Sequence, residues 1–209
     1  MQMRNTLASH IRGLLMEYGI VIPKQIGQLR RGLPRVLEDA TNELSEDMRS
    51  LFAGLYEELQ SVDKIIKDKD KQIVTIHRES ELSQRLGDIE GIGPLTATAF
   101  ISAVGDAKMF KRGRDCSAWL GLVPRQHSTG GKTVLGSISK RGDRYLRTNL
   151  IHGARSVISK ADNKTDARSR WIQQLKSRVG MNKACVALAN KNARILWAIM
   201  ASGEQYRVS

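Results

Sequence analysis

Residues 85–106 read RLGDIEGIGPLTATAFISAVGD. Two short helical patterns flank the run Glu90-Gly91-Ile92-Gly93-Pro94. Gly91 and Gly93 supply the positive φ that a tight turn needs, since neither carries a Cβ. Pro94 suits the first position of the second helix, where its missing N–H is no loss. The stretch therefore reads as helix, turn, helix, and it sets the reading of its neighbours.

Upstream lies a long helix. Ser45 is placed to cap it, with Glu46 and Asp47 in the first turn. Leu44, Met48, Leu51, Leu55, Val62, Ile65 and Ile76 fall at helical steps along one imperfect seam. No Pro or Gly occurs from Leu55 to Leu86, so a helix of roughly 60 Å is expected at 1.5 Å per residue. One seam needs one partner. A coiled coil with a second copy through residues 45–86 is favoured over a hairpin with the first helix. That first helix is read at 3–18, with Leu7, Ile11, Leu14 and Leu15 on one stripe and Gly19 and Pro23 ending it. A basic connector follows, and Pro34 opens a short helix reaching Ala40.

Downstream, Cys116–Leu122 reads as a buried helix end. Helices are expected at Asp143–Ser159, with Tyr145, Leu146, Leu150, Ile151 and Val157 inward and Arg144, Arg147 and Arg155 elsewhere. Two more follow, at Thr165–Arg178 and Ala184–Met200, the last nearly all apolar and so central. Trp119, Trp171 and Trp197 read as core residues. The fold class is all-α: a long coiled-coil helix, then a compact helical domain with a helix-hairpin-helix and one Gly-rich catalytic loop. Aromatic residues at 5% argue against a β-sandwich or barrel. The division expected is 1–32, 33–86 and 87–209.

Charge separates the halves. Residues 1–90 hold 13 Lys and Arg against 15 Asp and Glu, whereas residues 91–209 hold 21 against 6. The whole surplus of +13 thus lies after residue 90, which assigns a polyanion to the second part. Cys116 and Cys185 form no CxxC, so a disulfide scaffold, a zinc ribbon and an iron–sulfur cluster are excluded, and a reducing cytoplasm is expected. No apolar run approaches the ~18 residues of a membrane span.

The GIGPLTA turn resembles the helix-hairpin-helix that grips one DNA backbone strand without reading bases. Gly91, Gly93, Pro94 and Thr96 are its candidate contacts. Residues 123–142, VPRQHSTGGKTVLGSISKRG, contain four Gly, three Ser, two Thr and no acid. Such a loop lets backbone and hydroxyl groups approach a phosphate. It is not a Walker A loop. Arg125, Lys132, Lys140 and Arg141 in it, and Arg144 beyond, are candidate DNA contacts. From the residues alone, Ser128 is either a nucleophile or a hydroxyl that only touches phosphate, and His127 either a base or an exposed side chain.

Three blocks, GIGPLTATAFISAVGD, AWLGLVPRQHSTGGK and GSISKRGDRYLRTNLIHGAR, together resemble the C-terminal half of the Piv/MooV-like transposases of the insertion-sequence-110 type, the bridge-RNA-guided group. The resemblance implies a catalytic serine in the hydroxyl-Gly-Gly-Lys loop. Here that is Ser128, with Thr129 as fallback, attacking a DNA phosphodiester to form a transient phosphoserine. It implies oligomers, dimers or tetramers, holding DNA and a structured guide RNA in a bacterial or archaeal cytoplasm. Family members also carry an N-terminal RuvC-like domain whose four acids bind Mg²⁺. No DxD or spaced acidic cluster precedes residue 38 here, and residues 1–18 resemble only that domain's last helix. The expectation is a fragment without a cofactor of its own that binds nucleic acid but does not recombine it alone. The alternative is a non-catalytic oligomerisation module or inhibitor.

Overall fold

The computed structural model describes residues 2–129 and 132–206, and for residues 128, 129, 132 and 133 the backbone alone. Nine α-helices, one 3₁₀ turn and one two-stranded sheet make up the described chain. The all-α expectation holds, with a hairpin added. The chain divides into two compact units, residues 1–72 and 73–209.

In the first unit, α1 (Gln2–Glu17) turns Leu7, Ala8, Ile11 and Leu15 inward. These pack in one cluster with Leu29 and Leu33 of α2 (Ile26–Glu38) and with Leu44, Phe52 and Leu59. The first part of α3 (Glu46–Glu79) therefore buries its apolar face within its own chain. Ser45 accepts from the Met48 amide at 3.3 Å, the cap read from sequence. Farther along, Ile65 stays 55% exposed.

Pro34 departs from expectation. It lies inside α2 rather than opening a helix. A proline there leaves the carbonyl four residues earlier without its amide donor. That carbonyl belongs to Arg30, and the Tyr56 hydroxyl donates to it at 3.2 Å. A side chain from α3 thus replaces the missing backbone bond.

The long helix also ends sooner than its lack of Pro and Gly suggested. It stops at Glu79, and Ser80 caps α4 (Glu81–Gly87) by accepting from the Ser83 amide at 3.2 Å. The elbow is tied by His77 Nδ1 to the buried Ser83 hydroxyl at 2.7 Å. A Cβ on Gly87 would stand 2.9 Å from the His77 ring.

The second unit is built around α9 (Met181–Ser202), the central helix anticipated from its composition. Ala184, Cys185, Leu188, Ala189, Ala193, Leu196 and Ile199 are all buried on it. Against it lie α6 (Gly113–Trp119), α7 (Arg144–Ala161) and α8 (Ala167–Val179). The small residues of α9 let these neighbours approach closely. Asp143 and Asp166 cap α7 and α8, each accepting a backbone amide at 2.9 Å. Both cysteines are buried and free.

Assignments on α7 and among the tryptophans are corrected. Tyr145 is 54% exposed, while Arg147 is buried; the apolar face of α7 runs through Leu146, Leu150, Ala154 and Ile158. Trp119 is exposed, and Trp171 and Trp197 are only half-buried at the edge of the core.

Candidate nucleic-acid interface

Between α4 and α5 (Pro94–Val104) lies the Gly91–Gly93 turn. Gly91 has φ +88, and a Cβ there would stand 2.8 Å from the Gly153 carbonyl oxygen. The turn is thus pressed against the backbone of α7, and Gly91 serves that approach. Gly93, by contrast, does not take the positive φ expected of it: it caps α5 at φ −96, with open space around its Cα, and is exposed. Pro94 takes the first position of α5, as expected. Thr96 is buried on α5.

A polar cluster fixes the turn from the other side. The Arg168 guanidinium donates to Asn192 Oδ1 at 2.9 Å and to the Tyr206 hydroxyl. Asn192 donates to the Glu90 carbonyl at 3.3 Å, and the Glu90 carboxylate accepts from Lys164 at 2.7 Å. That bond holds the Lys164 ammonium above its ordinary pKa. None of Asn192, Arg168 or Lys164 stands out in the sequence: polar residues on helices, as Asn192 and Arg168 are, and in loops, as Lys164 is, read as solvent-facing.

The glycine-rich stretch is a β-hairpin. β1 (Pro124–Thr129) pairs antiparallel with β2 (Lys132–Ile138). Ser128 lies opposite Thr133, and Thr129 opposite Lys132. Gly130 and Gly131 fall outside the described residues, as do the side chains of Ser128, Thr129 and Lys132. Among its described side chains the hairpin shows no buried face: residues 124–127 and 134–137 are all exposed. Its conformation rests on the ladder and on its foot.

That foot is tightly built. The Ser139 amide donates to the Val123 carbonyl at 2.8 Å, and the Lys140 amide to Gly121 at 3.1 Å. Lys140 is held at φ +56, a conformation disfavoured for a residue with a Cβ. Gly121 and Gly142 both have positive φ, and a Cβ on either would collide with backbone, at Arg141 and Trp119 respectively. Beneath them the buried Arg147 guanidinium donates to the Leu120 carbonyl at 3.0 Å, and at 3.5 Å to those of Gly142 and Asp143. One cation thus binds the chain entering the hairpin to the chain leaving it.

Around this foot the structure gathers four sequence candidates. Arg125 donates to the Ser139 carbonyl at 3.4 Å. Lys140, Arg141 and Arg144 follow within a few residues, all exposed, and none of the four forms an ion pair among the described residues. At 3.3 Å per residue, Ser128 stands about 10 Å along the strand from Arg125. His127 is exposed beside it, opposite Val134. Among the described residues no group of three or more His, Cys, Asp or Glu is placed to hold a metal ion. Among the described residues no helix is long and apolar enough to cross a membrane.

Residues 83–170 match the family described as Transposase IS116/IS110/IS902 family. The segment runs from α4 into α8 and contains the Gly91–Gly93 turn, the hairpin and Arg147. Similar proteins share the wider chain too. A probable family 20 transposase of Pseudomonas aeruginosa is 48% identical over 205 residues, covering 98% of this chain and 61% of that protein. The transposase for insertion sequence element IS1111A of Coxiella burnetii is 45% identical, over 98% of this chain and 56% of that protein. A putative transposase of Sinorhizobium fredii is 41% identical, over 98% and 52%. The chain thus spans between half and two thirds of the length of these relatives.

Proposed function

We propose that this chain serves DNA transposition, with its transposase domain binding the sugar–phosphate backbone at the hairpin foot and Ser128 attacking a phosphodiester. The family match over residues 83–170 and the transposase relatives support the process. The observation that carries the site is the hairpin foot, where Arg147, Gly121 and Gly142 fix a strand bearing Ser128 beside four unpaired cations. Such a group of cations draws a DNA backbone to the foot, some 10 Å along the strand from Ser128.

In the proposed step, Ser128 Oγ bonds to phosphorus and gives up its proton to solvent, since His127 is its immediate neighbour on β1 and successive strand residues face opposite sides. The bond from phosphorus to one sugar oxygen breaks, and that oxygen takes up a proton. Reversal, with another sugar hydroxyl attacking the phosphoserine, rejoins the strand. The described residues offer no donor set that fits Mg²⁺, so no part of this step is assigned to a metal held by them.

Two partners belong to the proposal. The +13 charge accommodates a structured guide RNA as well as DNA. The exposed Ile65 and Ile76 of α3 support a homo-oligomer through that helix.

A nicked suicide oligonucleotide tests the chemistry. The expected result is a covalent protein–DNA adduct that Ser128→Ala abolishes with affinity retained. An adduct that persists in Ser128→Ala moves the nucleophile elsewhere. Binding without any adduct leaves the non-catalytic clamp as the correct reading.

A further inference from the structure

Outside the hairpin and the Gly91–Gly93 turn themselves, a cleft of about 720 Å³ opens between α6, α8 and α9. Four cations line it: Arg112, Arg114, Lys191 and Arg194. Two indoles, Trp171 and Trp197, form its apolar wall. We propose that this cleft binds an unpaired stretch of nucleic acid, with bases against the indoles and phosphates on the four cations. The proposal rests on the nucleic-acid reading above and extends it to a second, separate surface.

Charge is the first argument. No carboxylate lines the cleft, and none of the four cations forms an ion pair among the described residues. Four like charges around one concavity repel one another, and an anion relieves that repulsion. The backbone of a strand presents such anions at regular spacing.

The indoles are the second. Trp197 is anchored, its Nε1 donating to the Ala107 carbonyl at 2.9 Å. Gly113 lies against the same ring, where a Cβ would come 3.1 Å from Cε3. Trp171 is covered by the Lys191 ammonium, 4.3 Å from the ring centroid. Aromatic rings fixed beside cations are the parts from which single-strand binding sites are built, since every base has a face to stack.

Size and place complete the case. The cleft lies within the roughly 300–1,000 Å³ of sites for small organic molecules, which admits unpaired nucleotides and excludes a duplex. It also adjoins the hairpin. Asn190, on its wall, donates to the Leu122 carbonyl at 3.2 Å, two residues before β1. A strand leaving the cleft on that side passes toward the hairpin foot.

Fluorescence anisotropy of the whole chain with a 12-nucleotide DNA strand, its RNA counterpart and a 12-base-pair duplex tests this. The double variant Arg112→Ala/Arg194→Ala changes exposed side chains only. It is expected to weaken strand binding at least tenfold, and to flatten the salt dependence by about 1.4 log units per decade for two phosphates on a single strand. Duplex binding is expected to change less than twofold. Crosslinking of a 5-bromouracil strand is expected on peptides bearing Trp171 or Trp197. Equal affinity for the two sugars identifies the shared backbone as the ligand, and tighter RNA binding identifies the 2′-hydroxyl as a further contact. Strand affinity unchanged in the double variant, or crosslinks confined to the hairpin, overturns the cleft while duplex binding keeps the wider reading intact. A parent chain that binds no oligonucleotide overturns both.

Discussion

The buried guanidinium of Arg147 donates to the carbonyl oxygen of Leu120 at 3.0 Å, across 27 positions of sequence. The contact fastens the helix after the hairpin to the end of the helix before it. Its consequence is measurable. Arg147→Ala leaves the Leu120 carbonyl without this donor and removes the cation that also reaches Gly142 and Asp143. A hydrogen bond from a charged donor is worth about 1.5–3 kcal/mol, so a loss near 2 kcal/mol is expected in urea unfolding. Amide exchange of Ser139 and Lys140 is expected to accelerate more than that of α9. Equal acceleration throughout would show that Arg147 holds the domain generally and not the hairpin foot.

The two glycines of the turn separate packing from access. Gly91→Ala places a methyl 2.8 Å from the Gly153 oxygen at φ +88. Strain of that kind costs about 1–3 kcal/mol before the collision is counted, so the melting temperature falls by several degrees. Gly93→Ala meets open space at φ −96 and is expected to melt within a degree or two of the parent. Gly93 is a candidate DNA contact from the sequence, so its variant is expected to lose duplex affinity while keeping its fold.

These elements differ in how far the sequence disclosed them. The stripe of α1, the Ser45 cap and the apolar α9 were legible because each follows from local periodicity or cap chemistry. The hairpin was not. A strand is read from alternation with one buried face, and here Val134 and Leu135 are both exposed. Its stability comes from Arg147, Gly121 and Gly142, which are close only in the fold. Arg147 itself was misplaced because a charged residue reads as solvent-facing unless its carbonyl partners are known. The end of α3 was missed because Ser80 stops it without a glycine or proline. The candidate cations around the hairpin were legible as charges, though not as a group around one foot.

Replacement of Tyr56 tests the bond that accommodates Pro34. Tyr56→Phe removes the donor to Arg30 while keeping the ring in its cluster. The site is exposed, so water replaces the donor and the expected loss is about 0.5–1 kcal/mol. In the double variant Tyr56→Phe/Pro34→Ala, residue 34 regains an amide for the Arg30 carbonyl. Stability is expected to return to the parent value or above it, as read from the urea midpoint.

Burial pushes the Cys116 thiol up to about 12 and raises that of Cys185. Only the thiolate reacts with disulfide reagents, so at pH 8 labelling of the native chain is expected to follow unfolding events alone. The same shift fixes a direction with pH. A thiol raised above its unfolded value of 9.0 contributes fully below pH 9 and loses that contribution as pH rises toward 12. Stability is therefore expected to decline over that window, and less so in Cys116→Ala once its own cavity cost is subtracted. Rapid labelling of both cysteines under native conditions at pH 8 contradicts the buried placement.

The hairpin foot makes a quantitative claim about salt. Each phosphate neutralised on a duplex contributes about 0.9 to the slope of log K against log salt. Arg125, Lys140, Arg141 and Arg144 are exposed and unpaired there. Arg125→Ala and Arg141→Ala are each expected to lower the duplex slope by close to that amount, and their double variant by about twice it. Affinity falls uniformly across duplexes of unrelated sequence, because backbone contacts carry no base information. Lys67→Ala, on the exposed side of α3, is expected to leave the slope unchanged. A slope that drops equally in all three single variants would mean that the duplex senses only net charge, and the hairpin foot would lose its claim to be the place where it docks.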